Sequence, residues 1–327
     1  MYLYELVSKM LAPLNLAIVR RTTLDRVIGQ LQSMQSQLDQ QMHPTHCDGP
    51  TEASLLTISE AHQGQVRMLQ QNLLRHQIGS KWNVVDFIER ERQDPSASGM
   101  QQCPLCQHAA VSMAFKRLES HCIFGGGVLR RLQCPACDLV FGPEKMLSLT
   151  TQELTQDYEW HYQAYEEGDS TAQEIRAFHA LNPRREGCYL NFGAGAWSRS
   201  VQILRQEGWQ VYAYEPHASA SAGGEFAVQG KTALSGMRFD GIYSNNVLEH
   251  LRYPVEDLAY LRTLLKPGGL MAHATPCFEY LYEFTRFHLF FFLGRSQEVL
   301  AHRAGLSVRQ YIQDGEFMCS VLAPVES

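Results

Sequence analysis

The chain has 327 residues, of which 28 are basic and 34 acidic, so its formal net charge is -6. This length accommodates about two domains. The sequence has no dense Lys or Arg tract that could follow a phosphate backbone, so nucleic acid is not an expected partner. It also lacks a secretory-signal pattern and any apolar run near the ~20 residues of a membrane-spanning helix, so we expect a cytoplasmic location.

Residues 1–92 predict a helical hairpin or coiled-coil region. Apolar residues recur at helical spacing in two segments. They are Leu24, Val27, Ile28, Leu31, Met34 and Leu38, and then Leu55, Ile58, Val66, Leu69 and Leu73. The Pro and Gly content of residues 43–50 predicts a turn between the segments. Such a stripe indicates either a contact with a second copy or a partner protein, or ordinary helix packing. Residues 2–21 predict an amphipathic helix that could lie on a membrane surface, at the periphery of the inner membrane.

Residues 93–102 predict a linker, and residues 103–145 a small zinc ribbon. The ribbon has two Cys-x-x-Cys pairs separated by 27 residues, namely Cys103 and Cys106, and Cys134 and Cys137. Two such knuckles supply four thiolates for a tetrahedral zinc, a closed site that would serve structure and not chemistry. Two unmetallated turns and a pair of redox dithiols are the alternatives. His121 and Cys122, within the spacer, are interpreted as residues of the fold.

Residues 146–327 contain a pattern typical of nucleoside-binding α/β domains. An apolar strand from Cys188 leads into a turn, Asn191-Phe-Gly193-Ala-Gly195-Ala-Trp197, which a helix and a second strand ending in Glu215 follow. The glycines allow backbone amides to approach a ligand, and the carboxylate 22 residues after Gly193 stands where a ribose diol needs an acceptor.

Two later runs, at residues 239–251 and 264–270, complete a resemblance. Together with the glycine turn they resemble the class I methyltransferases that depend on S-adenosylmethionine (SAM). The resemblance implies an α/β fold with a Rossmann-like seven-stranded sheet and SAM as cofactor. The ribbon and the aromatic run at residues 158–165 are similar to the zinc-ribbon lead-in of bacterial methyltransferases that act on sugars or small metabolites. This implies O- or C-methylation of a sugar-like or small-metabolite acceptor, in surface-glycan biosynthesis.

The same resemblance assigns the cofactor site. The implied cofactor-binding residues are Asn191, Gly193, Gly195, Glu215, Pro216, Asn245 and Asn246. The sequence departs from the family at Asn191, where an acidic residue is usual, and at Trp197, where a third glycine is usual. These departures favour an alternative, a catalytically degenerate scaffold or regulatory protein that binds a partner through its N-terminal helices.

Histidines are the candidate general bases, because an imidazole titrates near neutral pH. His250 follows Glu249 in a Leu-Glu-His run, and His288 opens an apolar run that ends at Phe292. His161 and Tyr162 are further candidates. A histidine beside apolar residues is also typical of a structural role, and the aromatic residues from 278 to 292 fit either a substrate lid or plain core.

Overall fold

The computed structural model describes residues 52–92, 99–165, 168–195, 198–216, 226–228 and 230–325, together with residue 33. The chain forms two compact units. The first contains helix α1 (Glu52–Arg92), residues 124–127 and the end of a later helix from Gln156 onward. The turn at 43–50, the amphipathic segment 2–21 and, apart from residue 33, the first predicted helical segment lie outside the described residues.

Helix α1 confirms that the second predicted segment is helical, and its C-terminal half packs within the first unit. Trp82 is 1% exposed. Lys81 Nζ forms an ion pair of 2.9 Å with Asp157 Oδ1, whose side chain is fully buried. The middle of the helix exposes three apolar side chains, those of Val66, Met68 and Leu73. Coiled-coil pairing stays a prediction. None of the described helices has an apolar stretch sufficient to cross a bilayer.

The remaining elements follow in chain order. They are β1 (Met100–Gln102), β2 (Ala109–Val111), β3 (Lys116–His121), β4 (Val128–Gln133), β5 (Val140–Phe141), α2 (Glu144–Leu147), α3 (Thr151–Ala164), α4 (Thr171–Ala180), β6 (Cys188–Phe192), α5 (Arg199–Gln206), β7 (Gln210–Tyr214), β8 (Ala227–Val228), α6 (Lys231–Leu234), β9 (Phe239–Asn245), α7 (Pro254–Thr263), β10 (Leu265–Ala274), β11 (Phe290–Phe291), α8 (Ser296–Arg303), β12 (Leu306–Asp314) and β13 (Phe317–Pro324).

A seven-stranded sheet forms the centre of the second unit, in the order β12-β13-β10-β9-β6-β7-β8. The strands from β10 to β8 pair in parallel, whereas β13 pairs antiparallel with both β10 and β12. The central strands are almost entirely buried, as expected for parallel strands covered by helices. The predicted seven-stranded α/β sheet is confirmed. In the family that the sequence resembles, the fifth strand begins after a run like that at residues 264–270, but here most of this run lies inside β10, whose register shifts between Leu265 and Leu270.

An aromatic cluster holds α4 against this sheet. The ring of Phe178 lies 5.1 Å from those of Tyr189 and Trp209, and 5.6 Å from that of Tyr243. Edge-to-face contacts of this kind add to the free energy gained by burying the rings. Helix α4 is thereby fixed against β6 and β9.

The ribbon strands belong to a four-stranded antiparallel sheet in the order β11-β5-β4-β3. Strand β11 comes from residues predicted to belong only to the C-terminal domain, so this sheet joins the predicted ribbon to a distant part of the chain. The predicted linker is also shorter than expected, because residues 100–102 pair with β2 to form a hairpin around the first cysteine knuckle.

Candidate active site

The glycine turn follows β6 and lies against the end of β7. Gly193 and Gly195 have φ angles of 76° and 69°, which side chains other than glycine rarely adopt. The amides of Gly193 and Ala194 both donate to Tyr214 O, at 2.8 and 3.0 Å. The amide of Gly195 donates to Glu215 Oε2 at 3.1 Å, so the Glu215 carboxylate is directed at the turn.

The end of β9 completes the same edge. Asn245 is its last residue, and Asn246 has a φ of 54° and donates its amide to Ala274 O at 2.9 Å. Val247 fills the space beside Gly193, because a Cβ built on Gly193 would lie 2.5 Å from Val247 Cγ2. The carboxyl ends of β6, β7 and β9 therefore meet around one turn, the position at which open α/β sheets bind ligands. Pro216 is exposed beside it, whereas Trp197 and residues 217–225 lie outside the described residues.

A carboxylate that the sequence analysis missed lies beside Asn191. Glu174, on α4, accepts hydrogen bonds from Asn191 Nδ2 at 2.8 Å and from Ser200 Oγ at 2.5 Å through Oε2. Its Oε1 accepts from Ser170 Oγ at 2.7 Å. Burial and the nearby charge of Glu174 raise the pKa of Tyr243. A pattern search along the chain has no signal for Glu174, because the contact depends on how α4 packs against the sheet.

The two candidate bases are brought together, with ring centroids 5.1 Å apart. Burial lowers the pKa of His250 to about 4, although 26% of its side chain is exposed. Burial and the neighbouring His250 lower the pKa of His288. Both rings are therefore neutral at pH 7, the form that accepts a proton. His161 instead lies in the first unit, with its ring centroid 4.9 Å from that of Phe124.

Glu249 and Cys277 lie next to these histidines. Glu249 is fully buried, and burial raises its pKa to about 7. Ligand-type atoms of Glu249, Cys277 and His288 lie within 4.8 Å of one another. However, His288 Nδ1 lies 2.9 Å from Tyr282 O, an acceptor, so this nitrogen carries a hydrogen and is not available to a metal ion.

The four ribbon cysteines form one cluster, with the sulfur atoms within 4.8 Å of one another. The two knuckles have the same backbone pattern: the first cysteine donates to the carbonyl five residues later at 2.9 Å, and the residue after the second cysteine donates to the first at 3.0 Å. The Sγ atoms of Cys103 and Cys137 are 3.7 Å apart, and those of Cys106 and Cys134 are 3.6 Å apart. Tetrahedral zinc with bonds of about 2.3 Å would separate sulfurs by about 3.8 Å, so the cluster fits zinc.

Residues 160–311 match the family model described as a methyltransferase domain. No curated protein matches the sequence. Among solved structures, the chain is similar to 1,6-didemethyltoxoflavin-N1-methyltransferase from Burkholderia thailandensis, with 16% identity, coverage of 64% of this chain and 100% of that one, and a TM-score of 0.46. It is also similar to the calicheamicin-biosynthesis methyltransferase CalO1, with 14% identity, coverage of 54% of this chain and 59% of that one, and a TM-score of 0.40.

The mitomycin 7-O-methyltransferase MmcR is similar at 12% identity, with coverage of 56% of this chain and 60% of that one and a TM-score of 0.40. The chain thus spans about three fifths of the length of CalO1 and of MmcR. The family match at residues 160–311 includes the glycine turn and strands β6 to β10 of the seven-stranded sheet.

Proposed function

We propose that this protein is an S-adenosylmethionine-dependent methyltransferase that methylates an oxygen or carbon of a small polyhydroxylated acceptor, a sugar-like compound or small metabolite, in surface-glycan biosynthesis. The observation that carries the proposed cofactor site is the Glu215 carboxylate held against the Gly195 amide, where three strand ends meet. In this proposal Glu215 accepts hydrogen bonds from the ribose hydroxyls of SAM. Gly193, Gly195 and Pro216 line the cofactor, and Asn245 and Asn246 lie near the transferred methyl group.

The chemistry requires orientation of the acceptor and removal of its proton. SAM supplies a methyl group on a sulfonium, which the acceptor attacks in line while the C–S bond breaks and its electron pair passes to sulfur. His250 is the first candidate base because its side chain is partly exposed, and the burial that lowers its pKa weakens it as a base. His288 donates its Nδ1–H to Tyr282 O, which leaves Nε2 as the nitrogen that accepts a proton, so His288 stays the second candidate base. His250→Gln should lower kcat by about 10²- to 10⁴-fold, whereas the exposed His302→Gln should not.

Calorimetry tests the cofactor site before any acceptor is known. Wild-type protein should bind SAM and S-adenosylhomocysteine saturably, and Glu215→Gln should bind both more weakly. Glu207→Gln is the matched control, because it makes the same change from carboxylate to carboxamide at an exposed residue just after α5. Absence of saturable heat in the wild type would favour the alternative of a degenerate scaffold. Labelled SAM with a panel of nucleotide sugars and glycans then identifies the acceptor.

We assign zinc to the cluster of Cys103, Cys106, Cys134 and Cys137 as a structural ion. All four positions of a tetrahedral site are protein thiolates, so zinc here would hold the ribbon and would not bind substrate. Reduced thiols of this kind suit a cytoplasmic location. Zinc measured at well below one equivalent per chain in purified, reduced protein would remove this assignment.

Contact with a second copy or a partner through the N-terminal helices is also proposed. It is supported by the exposed apolar side chains of Val66, Met68 and Leu73 on α1. Sedimentation that gives a monomer at every concentration would exclude self-association. Binding of residues 2–21 to a membrane surface is tested separately by flotation with liposomes.

A further inference from the structure

We propose that Glu174 supplies the negative charge that holds the α-ammonium group of SAM, in place of the acidic residue that Asn191 lacks. The inference rests on the proposed cofactor site and adds a residue from outside the strand–turn–helix pattern. It moves the charge from β6 to the preceding helix α4.

Position is the first argument. Asn191 lies at the carboxyl end of β6, two residues before Gly193, and is fully buried. Its Nδ2 donates to Glu174 Oε2 at 2.8 Å. The Glu174 carboxylate is therefore hydrogen-bonded to Asn191, the position at which the family resemblance implies an acidic residue. A carboxamide at 191 supplies an acceptor but no charge.

Charge balance is the second argument. Glu174 accepts its three hydrogen bonds from neutral donors, which are the side chains of Ser170, Asn191 and Ser200. Within the described part of the chain, no lysine or arginine forms an ion pair with it. No positive charge of the described residues therefore offsets this carboxylate beside the turn, and a partly buried charge is most stable with an opposite charge nearby.

An unsatisfied acceptor is the third argument. Asn191 Oδ1 is buried and has no hydrogen-bond partner among the described residues. An ammonium group has three donors and no acceptor. The Glu174 carboxylate and Asn191 Oδ1 are acceptors that lack a positively charged donor in the part of the chain that the structure describes. An ammonium group would supply that donor.

A purely structural role is the competing explanation, since Glu174 also satisfies Asn191 and Ser200. Two ligands separate the roles: S-adenosylhomocysteine has the ammonium group, whereas 5′-methylthioadenosine shares the thioether and adenosine but lacks the amino-acid part. Glu174→Gln should weaken S-adenosylhomocysteine binding by about 10- to 100-fold, the range for losing a hydrogen bond to a charged group. Affinity for 5′-methylthioadenosine should stay within about twofold.

Charge relocation provides a second test. The double variant Glu174→Gln with Asn191→Asp returns the acid to β6 and should recover most of the S-adenosylhomocysteine affinity. Glu207→Gln is again the control, and circular dichroism checks that each variant is folded. If Glu174→Gln is unfolded, Glu174→Asp and the double variant replace it in the same titrations. Equal loss of both ligands, or wild-type affinity in Glu174→Gln, would overturn the role of Glu174. Failure of wild-type protein to bind either nucleoside would instead overturn the proposed cofactor site.

Discussion

Alanine at Gly193 should destabilise the fold more than alanine at Gly195. Both glycines have positive φ, so either substitution costs about 1–2 kcal/mol of backbone strain. Only at Gly193 does the added Cβ clash, at 2.5 Å from Val247 Cγ2 and 3.1 Å from Cγ1, whereas at Gly195 nothing lies within 4 Å. Overpacking adds about 1–3 kcal/mol. We expect losses of about 2–5 kcal/mol for Gly193→Ala and about 1–2 kcal/mol for Gly195→Ala.

Urea unfolding followed by circular dichroism measures these free energies. Val247→Ala removes both methyl groups that the new Cβ would meet, so in a Gly193→Ala background it should recover about 1–3 kcal/mol relative to additivity. The same change combined with Gly195→Ala should be additive and is the matched control. Equal losses at the two glycines, or no coupling between Gly193→Ala and Val247→Ala, would refute the packing argument.

Two further predictions concern the zinc cluster and a buried acid. Cys134→Ser should reduce bound zinc to well below one equivalent, measured by elemental analysis. Cys188→Ser, which changes a cysteine outside the cluster, should retain the zinc. Full zinc in Cys134→Ser would show that Cys134 is not a ligand. Burial raises the pKa of Glu249 from 4.5 to about 7, so protonation of Glu249 favours the folded state. This contribution to the free energy of unfolding is complete below pH 4.5 and is lost as the pH rises through 7. The loss is about 3 kcal/mol, and Glu249→Gln should abolish it; parallel curves of unfolding free energy against pH for the two proteins would contradict this.

The glycine turn and Glu215 could be located from the sequence because their pattern is local. A strand, a glycine turn, a helix and a second strand fix which residues reach the sheet edge. Gly195 and Glu215 are indeed joined by a hydrogen bond of 3.1 Å. Asn245, which the family resemblance implies to be near the cofactor, is the last residue of β9 at the same edge.

Contacts between distant segments could not be found in this way. Glu174 lies 17 residues before Asn191 on an amphipathic helix, where an acidic residue is typical of a solvated face. The pairing of His250 with His288 joins residues on separate segments, each of which was a separate candidate. Their ring contact depends on how residues 277–291 fold back toward the end of β9, which no periodicity in the chain encodes.

Arg131 shows why the ribbon and the histidines belong to one structure. This side chain of β4 is 1% exposed, and a buried cation is stable only when its donors are satisfied. It donates to the carbonyls of Glu283, Thr285 and His288 at 2.7, 2.8 and 3.2 Å. The backbone of the His288 segment is thus held by a charge that belongs to the ribbon sheet. If the proposed zinc ion orders the ribbon, it would therefore also influence the position of the histidine pair without taking part in the chemistry.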